Sequence, residues 1–250
     1  MASFQLHEIR RACTSCSLRE LCLPDGMSAE DLARLDEIVM RRRPVGRQAV
    51  LFHQGEPMSS IYAVRSGSVK STTLATDGGE QITGFHLPGE LIGLDAIATG
   101  THGCTVTALE TSSVCELPFD QLDMLSGQIP GLRRQLLRLM SREIRHDQRA
   151  LLMLGQKNAE QRLATLLLNL SARLQQRGLS ATRFRLSMAR GDIANYLGLA
   201  VETVSRLLAR FQEQGLLQVA GREVTLLDSA RLRLLVECEP DAAVTHQGRG

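Results

Sequence analysis

The sequence predicts an α+β chain in three consecutive parts: an N-terminal β-roll, a long α-helix, and a C-terminal helix-turn-helix with a hairpin wing. Three observations carry this. Residues 44–120 alternate short β-prone runs with glycine and proline, at the roughly 8–12-residue spacing of a sandwich, jelly roll or barrel. Residues 132–154 then hold neither glycine nor proline. Finally, residues 188–217 read as two amphipathic helices hinged at Gly198.

Bulk composition limits what such a chain does. Its 250 residues, 43% hydrophobic and 22% charged, suffice for one large or two ordinary globular domains. No run approaches the roughly 20 apolar residues of a membrane span, and the start "MASFQLHEIRRACTSC" has no apolar signal core. The expected location is the cytoplasm, where clustered thiols point to metal or redox chemistry more than to disulfides. Residues 1–120 carry 10 Lys/Arg against 15 Asp/Glu, whereas residues 121–226 carry 16 against 8. An acidic first half joined to a basic second half suggests an anionic partner for the second.

Residues 1–27 hold "CTSCSLRELC", with Cys13, Cys16 and Cys22 in ten positions. Residues 28–127 are the roll, preceded by a helix that Ser28 is placed to cap and whose apolar stripe is Leu32, Leu35, Ile38 and Val39. The exposed turn at Asp77-Gly78-Gly79-Glu80 is a candidate contact for a protein partner, although an ordinary hairpin tip reads the same way. Residues 128–155 form the long helix, with Leu132, Leu136, Met140, Ile144, Leu151 and Leu154 at three- and four-residue steps. That stripe fits a helix lying on its own core, and it fits a coiled-coil pairing with a second copy.

One position breaks the stripe: Asp147. A small rotation turns it to solvent; in a two-fold pair, two Asp147 carboxylates instead face each other. Two like charges ~4 Å apart repel by about 1 kcal/mol in water and about 4 kcal/mol at an effective dielectric of 20. Ile144 and Asp147 are therefore the candidate dimer switch. Residues 156–232 contain the helix-turn-helix and its wing, and the polar segment 233–250 is expected to be disordered.

In the helix-turn-helix, Ile193, Ala194 and Leu197 pack against Val204, Leu207, Leu208 and Phe211. Glu202, Ser205 and Arg206 share the outward stripe of the second helix at i, i+3 and i+4. Such groups read base edges: Arg206 guanine, Glu202 cytosine N4, Ser205 either kind. An ordinary surface Glu–Arg pair is the plainer reading. Arg183, Arg185 and Arg190 are candidate phosphate contacts.

These residues carry a resemblance. "NYLGLAVETVSRLLARFQEQGLL" is similar to the recognition region of the Crp/Fnr regulators, where E-x-x-S-R reads the operator. The likeness extends through "LFHQGEP", "IYAVRSGSVK", "EQITGFHLPGELIGLDAI", "ALETSSVCELPF" and "LMSREIRHDQ", covering about residues 13–230, and most resembles the oxygen-sensing FNR/Anr branch. It implies a cyclic-nucleotide-binding-like β-roll, a homodimer helix, and double-stranded DNA carrying a TTGAT-N4-ATCAA-type palindrome. Nucleotide-binding relatives carry a glutamate after the "GEL" turn and an Arg-Ser or Arg-Thr beyond it. Here Leu94 stands at the first place, and residues 91–120 contain no Arg or Lys, so no cyclic nucleotide is expected.

Three thiolates do not close a four-coordinate site, and spacing alone cannot choose between Cys104, Cys115 and Cys238. The resemblance implies Cys115, in "ALETSSVCELPF", with no metal role for Cys104 or Cys238. Four cysteines hold either zinc or an iron–sulfur cluster; the resemblance implies a [4Fe–4S] cluster, with a structural zinc or another redox- or nitric-oxide-responsive centre as the alternative. Leu18, Leu21 and Leu23, interleaved with the ligands, are placed to shield it. An enzymatic dithiol at Cys13 and Cys16 is disfavoured, because no βαβ pattern surrounds them. The expected function is an oxygen-responsive transcription regulator, not an enzyme.

Overall fold

The computed structural model describes residues 13, 16, 18–22 and 27–237. The cysteine loop ends in a single helical turn, α1 (Arg19–Cys22), and helix α2 follows (Ala29–Ile38). The Ser28 hydroxyl caps α2 by accepting the Asp31 N–H at 3.0 Å, and Leu32 and Leu35 are buried beneath the helix.

Eight strands build the roll: β1 (Met40–Arg41), β2 (Val50–Phe52), β3 (Ser60–Ser66), β4 (Val69–Leu74), β5 (Glu80–His86), β6 (Leu91–Ile92), β7 (Thr105–Ala108) and β8 (Ser113–Pro118). They form two antiparallel sheets, ordered β1-β8-β3-β6 and β2-β7-β4-β5. In the first, β3 and β8 pair with Tyr62 opposite Glu116 and Ala63 opposite Cys115. Side chains alternate across a strand. Tyr62, Val64 and Val114 therefore meet Phe52, Val69, Ile92 and Val106 inside the roll. Ile61, Leu117 and Cys115 point the other way, into a second core.

Two helices close that second core: α3 (Phe119–Gln128) and α4 (Pro130–Gln156). Leu122, Leu125, Ile129 and Leu132 join Leu32, Leu35 and Ile61 there. Each large side chain sealed away contributes roughly 1.5–3 kcal/mol.

The structure revises the stripe read on the long helix. Leu132 is only 4% exposed and Leu136 packs on the same core, so the first turns of α4 rest on their own domain. Leu137, Ile144 and Leu151 are exposed, at seven-residue steps; the last two belong to the stripe read from the sequence and Leu137 does not. The exposed apolar face is thus Leu137–Ile144–Leu151, and the helix carries two apolar faces where the sequence suggests one.

Residues up to Arg145 form one compact unit and those from His146 a second. The division falls within α4, so the helix read as a separate 128–155 segment is shared by both. In the second unit come α5 (Ala159–Gln175), β9 (Arg183–Arg185), α6 (Arg190–Leu197), α7 (Val201–Glu213), β10 (Leu217–Ala220), β11 (Glu223–Leu226) and α8 (Ser229–Glu237). The three strands form one sheet, ordered β10-β11-β9. Asn158 and Gln161 cap the start of α5 reciprocally. Gly198 ends α6 at φ +62°, a left-handed conformation that favours glycine. Ile193, Ala194, Leu197, Val204, Leu207, Leu208 and Phe211 are all buried, as a helix-turn-helix requires.

Helix α8 runs through Glu237. Residues 233–237 are therefore helical and not part of a disordered tail; fully buried Leu232 anchors the helix. The remainder of that segment, with Cys238, lies outside the described residues. Among the described residues no helix is long and apolar enough to cross a membrane.

Candidate metal centre and nucleic-acid interface

Strand alternation decides where Cys115 points. Val114 and Glu116 on β8 face the roll interior, which turns Cys115 and Leu117 outward beneath the helices. A cavity of about 80 Å³ lies there, lined by Cys13, Cys16, Cys22 and Cys115. Leu18 lines it as well, and Leu132, Gln135, Leu136 and Leu139 make α4 one of its walls. The helical turn α1 is held close to the roll. Leu21 sits where a side chain on Gly89 would be, and the Cys22 thiol lies 3.7 Å from the Gly89 carbonyl oxygen.

Among the described residues the donor set is sulfur, in an otherwise apolar wall broken by Gln135. This suits a thiolate-bound centre of zinc or iron–sulfur type. Among the described residues no three cysteine sulfurs lie within 4.8 Å of one another. A tetrahedral zinc with bonds of about 2.3 Å needs sulfurs about 3.8 Å apart, so the thiols are spread more widely than one zinc ion requires.

The Cys13 N–H donates to Asp36 Oδ1 at 3.0 Å, and Asp36 is paired with Arg41. Burial, reinforced by the Asp36 carboxylate, pushes the Cys13 thiol up to about 12. Burial also raises Cys115. Both thiols thus favour the neutral form at neutral pH, and a metal bound there would have to displace their protons. On the opposite face of β8, buried Glu116 accepts from Ser60 Oγ at 2.9 Å and from both Nε and Nη2 of Arg42.

Cys104 is elsewhere. It packs against the core inside the roll, and burial aided by Asp95 pushes its thiol to about 12. The structure therefore brings Cys13, Cys16, Cys22 and Cys115 to one cavity and leaves Cys104 in the other core. Cys238 and Leu23 lie outside the described residues.

On α7, Glu202, Ser205 and Arg206 are all exposed, and the Ser205 hydroxyl donates to the Val201 carbonyl at 3.0 Å. Arg183 and Arg185 are exposed on β9, while an Arg190 Nη2 reaches the Gly221 carbonyl at 3.5 Å in the β10–β11 turn. On α4, Ile144 is 58% exposed, and Asp147 is exposed with its carboxylate 3.9 Å from His146 Nδ1. The sequence reading passed over two residues. Leu137 was signalled only by its seven-residue distance from Ile144. Arg162 had no signal: it donates to three backbone carbonyls, at Lys157, Leu197 and Leu154.

Comparison with known proteins places this geometry. Residues 42–128 match the cyclic nucleotide-binding domain family and residues 161–235 the Crp-like helix-turn-helix domain family. The chain is 56% identical over 220 residues to the transcriptional activator protein anr of Pseudomonas aeruginosa, covering 88% of this chain and 90% of that one. It is 52% identical over 223 residues to the fumarate and nitrate reduction regulatory protein of Escherichia coli, covering 89% of each. The structure of FixK2 from Bradyrhizobium japonicum superposes with a TM-score of 0.74 at 33% identity, covering 81% of this chain and all of that one. The chain belongs to the Crp/Fnr family of transcription regulators, in its FNR/Anr branch.

Proposed function

We propose that this protein is an oxygen-responsive transcription regulator that holds a [4Fe–4S] cluster through Cys13, Cys16, Cys22 and Cys115. The observation that carries the reading is that these four thiols line one cavity of which α4 is a wall. When bound, the cluster supplies an oxygen-labile centre. The chain's own residues do the rest. Leu18 and the leucines of α4 shield the cavity, and the wall residues Leu132 and Leu136 set how α4 packs. Leu137, Ile144 and Leu151 then meet their copies in a homodimer, against the repulsion of two Asp147 carboxylates.

Two recognition helices about 34 Å apart meet successive major-groove faces of a TTGAT-N4-ATCAA-type palindrome. Glu202, Ser205 and Arg206 read the bases, and RNA polymerase is the expected protein partner in the cytoplasm. No cyclic nucleotide is involved: residues 91–120 offer no Arg or Lys to pair with a buried phosphate.

Anaerobic purification tests the proposal. The protein is expected to be brown, to carry iron and acid-labile sulfide, and to bind the palindrome, losing colour and binding together in air. A colourless zinc protein that binds the operator equally well in air refutes it.

A further inference from the structure

We propose that Arg162 is a positioning residue that sets the separation of the two recognition helices, and so the half-site spacing that the dimer accepts. The inference rests on the proposed dimeric, operator-binding reading.

Arg162 lies in the first turn of α5. Its Nε donates to the Lys157 carbonyl at 2.8 Å, Nη1 to Leu197 at 3.0 Å and Nη2 to Leu154 at 2.7 Å. These acceptors belong to three different segments: the last turn of α4, the linker after it, and the end of α6. The last carbonyls of a helix have no partner within it and carry the negative end of its dipole. One guanidinium thus joins the ends of α4 and α6, and its planar fork fixes the angle between its bonds as well as their lengths.

A second contact joins the same places. A β-carbon on Gly198 would lie 3.5 Å from Arg162 Nη1 and 3.9 Å from Leu154 Cδ2, so the α4 leucine abuts the turn of the helix-turn-helix. That turn is itself tied down, because the Leu199 N–H returns to the Ala194 carbonyl at 2.9 Å. Residue Val201 then opens α7, with Glu202, Ser205 and Arg206 in its first two turns.

The path from seam to DNA is therefore short. Leu151 lies three residues before Leu154, about 4.5 Å along the helix axis, and both belong to the same compact unit as α6 and α7. When two copies of α4 meet at Leu151, Arg162 transmits their separation through α6 to α7. A plain stabilising role for Arg162 makes a different prediction, because it affects every operator alike.

The test uses full-length protein, loaded anaerobically, and palindromes whose half-sites are four bases apart, one base closer, or one base further. Operator affinity is read by fluorescence anisotropy and oligomeric state by sedimentation. For Arg162→Gln, affinity for the four-base operator is expected to fall about tenfold, the size of losing a charge-assisted hydrogen bond, while the offset operators change far less. The variant is expected to remain dimeric. Arg162→Lys, which keeps the charge without the fork, is expected to lie between, and it carries the test if the glutamine variant does not fold. Equal loss at every spacing, or a spacing preference kept by both variants, overturns the inference. Wild-type protein with no spacing preference overturns the operator reading itself and this inference with it.

Discussion

Replacing Leu151 by alanine is expected to weaken the pairing of two chains without weakening the fold of either. Leu151 is 71% exposed on α4, in line with Leu137 and Ile144. Full burial of a leucine contributes roughly 1.5–3 kcal/mol, so the exposed part has about 1–2 kcal/mol left to gain. A two-fold seam counts every side chain twice. Leu151→Ala therefore costs about 2–4 kcal/mol of dimer stability, or roughly a 30- to 700-fold rise in Kd. Leu125→Ala is the control. Leu125 is 7% exposed in the first unit's core and does not line the cysteine cavity, and its truncation costs about 2–5 kcal/mol of fold stability. Sedimentation of loaded protein across a concentration series measures the first effect, and urea unfolding measures the second. If Leu125→Ala impairs pairing more than Leu151→Ala does, the assignment of the two faces is wrong.

Four further outcomes are expected. Cys115→Ala abolishes iron and sulfide binding whereas Cys104→Ala retains both, measured as iron per chain after anaerobic loading; the opposite result reassigns the fourth ligand. Asp147→Ala pairs in air, and an unchanged sedimentation profile shows that the carboxylate does not face its copy. Arg206→Ala costs about 1–3 kcal/mol and relaxes one base position; a uniform loss across sequences makes it a phosphate contact. Arg42 holds the Glu116 carboxyl below its ordinary value of 4.5. That pair stabilises the fold above pH 4.5 and is lost as pH falls through the depressed value. Glu116→Gln should flatten this acid limb and cost about 2 kcal/mol at neutral pH, read by urea unfolding across pH.

The helix-turn-helix was legible in the sequence because Ile193, Leu197, Val204 and Phe211 must all point inward for so small a unit to have a core, and they do. The roll was legible from its turns. Cys115 could not be separated from Cys104 by spacing; the fold separates them, because Cys115 lies on β8 and faces the second core, while Cys104 precedes β7 in the other sheet and packs on the core inside the roll. The seam was half legible. Leu132, Leu136 and Leu137 are all leucines within six positions, and periodicity alone cannot say which face meets the roll and which meets a partner. Arg162 was illegible for a different reason: its partners are carbonyls, which every residue has. The last turn of α8 is hard to see in the sequence because the polar run after Glu237 follows Leu232, Leu234 and Leu235 with no glycine to mark the helix end.

Leu136 lines the cysteine cavity while Leu137 projects outward. Neighbours in a helix stand about 100° apart around its axis. The wall of the cysteine cavity and the exposed leucine face are thus two sides of one rod, with no intermediary part between them. In the proposed regulator such a rod would act as an axle: a twist of a few degrees, driven by what the cavity holds, would re-aim the outer leucines with no sliding and no relay of side chains.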